Sequence, residues 1–293
     1  MRNRVEYVSL KFLNWVVHLL PYPLALQCSK VLGFLLFSVA RVRRRVVLSN
    51  LRRAFPEKSF KEIKRIAWQN YVHFSRVAIE YLNFPRFYQH ELSDFVDFND
   101  KEILDEVRKT GKGAILVGGH LGNWEILGAA ISRQGYPLTA IVADQRNTLI
   151  DHWMNEYRSA SGMKIFRRKE AAKAILQALK KGEFVILLSD QDAGKDGVFV
   201  NYFGTLVSAP AGAAVFALRT NAKLIYVSCV LNGNKYRTSF RPIDVEQYRK
   251  LDYFEALRQI TQAFTNLLEA EVRTYPHQWF WMHRRWKSSP KTE

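Results

Sequence analysis

From residue 113 to residue 232 the chain alternates short apolar runs with helical stretches, and no other feature restricts the fold as much. "AILVG" is followed by "NWEILGAAISRQ", "LTAIVAD" by "NTLIDHWMNEYRSAS", "MKIF" by "KEAAKAILQALKKG", and "EFVILLSD" by "APAGAAVFALRTN". "KLIYVSCVL" and "YRTSFRPI" read as two further strands, and a last long helix is expected over 252–273. Strands that are apolar throughout have no solvent face, so both of their sides must be covered. The expected class is α/β, a mostly parallel central sheet covered by helices on both faces, with an N-terminal apolar helical membrane anchor. Ligands in such sheets bind past the carboxyl ends of the strands. Upstream, 57–84 reads as a helix with Ile63, Ile66, Ala67 and Tyr71 on one face, opened by a capping box of Ser59 and Glu62. A second helix, "DKEILDEVRKTGKG", stops at Gly111 and Gly113.

The first 53 residues differ from the rest. Residues 8–40 are strongly apolar, yet Pro21 and Pro23 break them and Lys11, His18 and Lys30 interrupt them. Neither half reaches the roughly 20 clean apolar residues of a spanning helix. "RVRRRVVLSNLRR" follows, so residues 1–53 carry ten Lys and Arg against the single acid Glu6. Apolar helices followed by cations suit a helix or hairpin set in a membrane with its basic run on the anionic leaflet. An interfacial anchor fits this pattern better than a span, and a buried core helix with a solvated basic face is the competing assignment. No small-residue cleavage site follows a single short apolar core, so no signal peptide is expected.

The whole chain of 293 residues has 44 Lys and Arg against 27 Asp and Glu, a net charge of +17. That surplus points to anionic partners: nucleic acid, lipid or a phosphorylated substrate. Cys28 and Cys229 lie in apolar surroundings and form no metal or redox spacing, which suggests a reducing compartment.

His120 stands just past "AILVG", and Glu125 five positions later. On a regular helix they would lie about 140° apart. Gly118, Gly119 and Gly122 free the backbone, so His120 can occupy the turn while Glu125 sits in the first turn of the helix and reaches back to the imidazole. A carboxylate on one ring nitrogen fixes the tautomer and makes the other nitrogen a general base. Amides near Gly122 and Asn123 at the helix start are candidate oxyanion donors. A satisfied polar turn is the competing assignment. The spacing does not match a zinc helix and no third ligand is in place, so no metal is expected; neither cysteine neighbours a basic site, so cysteine catalysis is not expected either.

Asp190 ends "EFVILLSD", and with Gln191 it opens toward the rim that holds His120. The glycine-rich "DQDAGKDGVFVNYFG" beyond reads as a loop. Arg158, Arg146, Arg284 and Arg285 are candidate contacts for an anionic substrate. "HQWFWMHRRWK" (277–287) interleaves aromatics and cations. That pattern fits an interfacial belt, stacking on single-stranded nucleic acid, or a tail packed on the core.

Taken together, "GGHLGNWE" resembles the H-x4-D/E signature of membrane acyltransferases, in the form of the late acyltransferases of lipid A biosynthesis, the lauroyl and myristoyl transferases. "SDQDAGKDGVFVNYFG", "NLRRAFP" and "PHQWFWMHRRWK" resemble further landmarks of that family, over residues 48–287. The phosphatidylinositol mannoside acyltransferases are similar in plan. The resemblance implies fatty acyl transfer from acyl carrier protein, or acyl-CoA, to a hydroxyl of a glycolipid at the cytoplasmic face of the inner membrane. It implies no metal or other cofactor, and no nucleic acid partner. Carried onto this chain, His120 is the general base and Glu125 its partner, while Arg158 and Asp190 match positions needed for function. The expected division is a membrane-associating segment, 1–53, and an α/β acyltransferase domain, 54–293.

Overall fold

A computed structural model of the chain describes residues 2–87 and 92–288; the last five residues of the expected α/β domain lie outside the described residues. The chain opens with helices α1 (Arg2–Leu19) and α2 (Tyr22–Phe34), which meet at Pro21, and α2 continues through a π-helical stretch, Leu35–Val39. Helices α3 (Arg44–Ala54) and α4 (Phe60–Leu82) follow, then the short α5 (Phe84–Phe87), strand β1 (Val96–Asp97) and α6 (Lys101–Lys109). The expected alternation then appears in order. It runs β2 (Ala114–Gly118), α7 (Trp124–Arg133), β3 (Leu138–Val142), α8 (Thr148–Ala160), β4 (Lys164–Arg167), α9 (Ala171–Lys180) and β5 (Phe184–Leu188). After a hairpin of β6 (Val198–Tyr202) and β7 (Thr205–Ala209) come α10 (Gly212–Thr220), β8 (Lys223–Asn232), β9 (Lys235–Ile243) and α11 (Tyr253–Thr274).

Among the described residues, seven strands form one sheet in the order β1-β9-β8-β2-β5-β3-β4. From β8 to β4 all pairings are parallel, and β9 pairs antiparallel with β8. Alternate residues of each strand serve opposite faces. Ile115, Val117, Val185, Leu224 and Tyr226 face one core, while Ala114, Leu116, Phe184, Ile186 and Ile225 face another. Both faces are buried, as unbroken apolar strands require.

The capping box forms: Ser59 Oγ accepts from the Glu62 amide at 3.3 Å, and the Ser59 amide donates to Glu62 Oε2 at 2.9 Å. Ile63, Ile66, Ala67 and Tyr71 are buried as their spacing predicts. One expectation is corrected. The segment read as a polar loop holds the β6–β7 hairpin, whose turn residues Phe203 and Gly204 have φ of 51° and 71°. Two successive left-handed residues suit a tight hairpin, and glycine at the second lowers the strain. Val47 and Leu51 of α3 lie in the same core as Ile115 and Val117.

Of the three assignments open for the aromatic-basic tail, packing on the core is the one found. Trp279 and Trp281 are buried, so they form neither an interfacial belt nor a stacking platform. The tail is a strap across the carboxyl end of the sheet. Its Trp279 bridges to Leu121, with the Gly122 amide donating to the Gln278 carbonyl at 2.9 Å and the Phe280 amide to the His120 carbonyl at 3.0 Å. Two helical asparagines clamp it from behind. Asn50 Nδ2 donates to the carbonyls of Trp281 and His283, at 2.9 and 2.7 Å, and Asn70 Nδ2 to those of His277 and Trp279, at 2.9 and 2.7 Å. Asn70→Ala leaves the His277 carbonyl without its donor and the Trp279 carbonyl with the Trp281 amide alone. It should cost about 1–3 kcal/mol in denaturant unfolding, with the tryptophan emission of the native protein shifting to the red as the strap loosens.

Candidate active site

The parallel register builds the site. Gly118 of β2 stands opposite Leu188 of β5, and each strand then runs two residues further, to His120 and to Asp190. The two side chains therefore leave adjacent strands at the same height. Asp190 is buried and accepts three hydrogen bonds. His120 Nδ1 donates to Oδ1 at 2.7 Å, the His120 amide to Oδ2 at 2.7 Å, and Trp279 Nε1 to Oδ2 at 2.8 Å. Burial opposes the charge on Asp190, but the field and hydrogen bonds of His120, aided by Trp279, outweigh it and bring the carboxyl down to about 2. An ionised carboxylate can only accept, so His120 Nδ1 carries the hydrogen and Nε2 is left as the acceptor.

Glu125 was expected to hold the imidazole; the structure gives that place to Asp190. Glu125 instead meets Arg158 in a two-pronged ion pair, with Arg158 Nε to Oε2 at 2.9 Å and Nη2 to Oε1 at 2.6 Å. Burial works against the Arg158 charge, but the hydrogen bonds and charge of Glu125 raise its pKa above the usual value. The indole of Trp124 donates to Glu125 Oε1 at 3.2 Å, and its ring sits edge-on to His120 with centroids 4.8 Å apart. Glu125 thus reaches the histidine through a tryptophan. Phe280 from the strap and Phe74 from α4 join that ring, with centroids 6.3 Å between Phe280 and His120 and 5.2 Å between Phe280 and Phe74. A half-exposed imidazole beside aromatic walls suits a long apolar substrate.

Asn123 and Gly122 take structural places. Asn123 Oδ1 caps α7 by accepting from the Ile126 amide at 3.1 Å, and its Nδ2 donates to the buried Glu80 at 2.9 Å. The amides of Gly122 and Asn123 are already bonded, to the carbonyls of Gln278 and Cys229, so neither serves an oxyanion. Gly122 has φ of +64°, and a Cβ there would lie 1.9 Å from the Cys229 carbonyl oxygen. Its glycine is needed for close approach to β8, not to bring Glu125 to His120. Arg285 is buried, donates to the Ser208 carbonyl and lies over the Tyr202 ring, 5.7 Å from its centroid, so it grips no substrate phosphate. Arg284 is exposed on the strap, Arg146 is exposed in the loop before α8, and Gln191 is half-buried beside Asp190. His73 is no second base: burial pushes it down to about 3, and its Nε2 meets the Gly122 carbonyl at 3.1 Å. Among the described residues no cluster of side chains is arranged to hold a metal ion.

Sequence reasoning missed three parts: the Asp190–His120 pairing, the indole of Trp279 and the buried Glu80. The first had a signal, since "AILVG" and "FVILL" are equal-length strands each followed, one residue on, by the polar side chain. The other two depend on contacts across 89 and 43 residues, which no local pattern carries.

With this geometry in hand, comparison with known proteins is decisive. The bacterial lipid A biosynthesis acyltransferase family matches residues 5–288. The chain belongs to that family. It is an acyltransferase. The lipid A biosynthesis lauroyltransferase of Escherichia coli (strain K12) is 27% identical over 282 residues, 94% of this chain and 90% of that protein. The lipid A biosynthesis palmitoleoyltransferase of the same strain is 24% identical over 283 residues, 95% of this chain and 90% of the relative. A phosphatidylinositol mannoside acyltransferase of Mycolicibacterium smegmatis is 25% identical over 218 residues, 73% of this chain and 69% of the relative.

Two outcomes follow for this family member. The Asp190 carboxyl is lower in the folded chain than its usual value near 3.8, so its stabilisation is full above about pH 4 and is lost as the pH falls through about 2. The Asp190→Asn variant should lose the part of acid unfolding that falls in that window, seen by circular dichroism. Glu125→Gln strands a buried guanidinium and should cost about 3 kcal/mol in denaturant unfolding.

Proposed function

We propose that this acyltransferase moves a fatty acyl chain from acyl carrier protein, or from acyl-CoA, to a hydroxyl of a lipid A precursor at the cytoplasmic face of the inner membrane. The reading rests on one observation: a His120–Asp190 pair, tautomer fixed, at the carboxyl ends of adjacent strands in a chain of this family. His120 Nε2 takes the proton of the acceptor hydroxyl as its oxygen attacks the thioester carbonyl carbon. Asp190 stays ionised and stabilises the imidazolium. When the tetrahedral adduct collapses, the carbon–sulfur bond breaks and the imidazolium returns its proton to the departing thiolate. No acyl-enzyme is required, because the turn holds no nucleophile.

The amides of Trp124 and Glu125, the first two of α7, have no acceptor among the described residues and are the donors assigned to the oxyanion. Gln191 and Arg284 are left to meet the acceptor at the rim. Arg158 acts through Glu125 and Trp124 on the orientation of His120. The protein needs no cofactor of its own in this scheme. An acidic carrier protein and an anionic leaflet both account for the charge of +17. A phosphatidylinositol mannoside is the second acceptor to test, because a relative of that name matches 73% of the chain.

Purified protein given labelled acyl donor and a lipid A precursor should yield one product heavier by one acyl chain in mass spectrometry. His120→Ala should lower kcat by about 10² to 10⁴ with KM little changed. Near-full activity in that variant removes His120 as the base, and product only from a phosphatidylinositol mannoside replaces the acceptor.

A further inference from the structure

We infer that the N-terminal hairpin of α1 and α2 lies flat in one leaflet, so that neither helix crosses the bilayer and the N-terminus stays on the same side as His120. The inference rests on the membrane reading above and adds the geometry of attachment.

By length and composition alone, 22–39 is a candidate span, 18 residues of mean hydropathy 1.4. At about 1.5 Å per residue it covers roughly 27 Å, just short of the hydrocarbon thickness. The contacts at both ends of the hairpin argue against crossing. If 22–39 crossed, α1 would stand on the far side of the bilayer from the sheet. Yet Asn147, which caps α8, donates through Nδ2 to the Asn3 carbonyl at 2.9 Å and to Glu6 Oε2 at 3.0 Å. Lys11 Nζ lies over the Trp153 ring of α8, 4.4 Å from its centroid. At the other end of α1, Arg86 donates to the carbonyls of His18 and Leu20. α2 is seated as firmly. Ala25, Ser29 and Gly33, one turn apart, are its buried residues, and a Cβ on Gly33 would lie 2.9 Å from the Val72 backbone of α4. Beyond α2, Tyr71 donates to the Val42 carbonyl. A helix so bound to a charged catalytic domain cannot be surrounded by lipid.

What remains exposed is one apolar surface. Val5, Val8, Phe12, Trp15 and Leu19 of α1 project outward, as do Leu24, Val31 and Phe34 of α2, with Leu35 and Val39 beyond it. Arg2, Arg4, Lys30, Arg41, Arg43 and Arg45 are exposed on the same segment, which has Glu6 as its one acid. Exposed apolar side chains on a segment this rich in exposed cations match an anionic bilayer surface.

The test uses the full chain carrying Cys28→Ser, with one new cysteine at Asn3 or at Ser49 on α3, both exposed. A membrane-impermeant maleimide is added to spheroplasts and to inverted inner-membrane vesicles. Both cysteines should label in the inverted vesicles alone. Labelling of Asn3→Cys from the spheroplast side, with Ser49→Cys labelled from the other, overturns the flat placement and leaves the membrane reading standing. Protein that stays in the soluble fraction overturns the membrane reading itself. In a second measurement, Phe12→Asp with Val31→Asp should weaken flotation with anionic vesicles by about tenfold or more, at unchanged melting temperature. Unchanged flotation overturns the assignment of this surface.

Discussion

One buried carboxylate organises the carboxyl end of the sheet. Asp190 is removed from water, and an isolated charge there would be prohibitive without donors on its oxygens. Its donors are an amide and an imidazole from the turn after β2, and an indole from the strap. The strap is held in turn by Asn50 on α3 and Asn70 on α4, and by Gln278, whose side chain bonds both the amide and the carbonyl of Leu231 at 2.8 Å. The geometry of the His120–Asp190 pair thereby depends on four distant parts of the sequence.

The turn separates three carboxylates by their surroundings. Asp190 has three hydrogen-bond donors and stays ionised. Glu125 is matched by the guanidinium of Arg158. Glu80, on the far side of the turn, accepts from Arg76 at 2.6 Å, Tyr236 at 2.6 Å and Asn123 at 2.9 Å, and burial still raises its carboxyl above the ordinary value. Acids so placed have distinct tasks: one on the imidazole, one on the indole beside it, one on the residue that caps α7.

Much of this was legible in the sequence. Unbroken apolar strands such as "FVILL" announce a sheet covered on both sides, and "SFKE" announces the start of α4, because both signals are local. The β6–β7 hairpin was missed because its strands carry little charge or contrast beside a polar, glycine-rich approach. His120 and Asp190 were found as residues, but their pairing was not, since sequence gives strand order only indirectly. Glu125 was misplaced because nearness in sequence was allowed to stand for nearness in space. Arg285 and the tryptophans of the tail have the composition of a surface motif, and only packing shows that they face inward.

The strap also sets an order of events. A chain is made from its N-terminus, so α1 and α2 exist before the last strand is complete, while residues 277–281 are made after every strand of the sheet. Asp190 therefore waits, partly unpartnered, for an indole 89 residues further along. Until Trp279 arrives, the carboxylate that fixes the His120 tautomer lacks one of its three donors. Completion of the His120–Asp190 pair thus waits on a segment made after both strands that carry it.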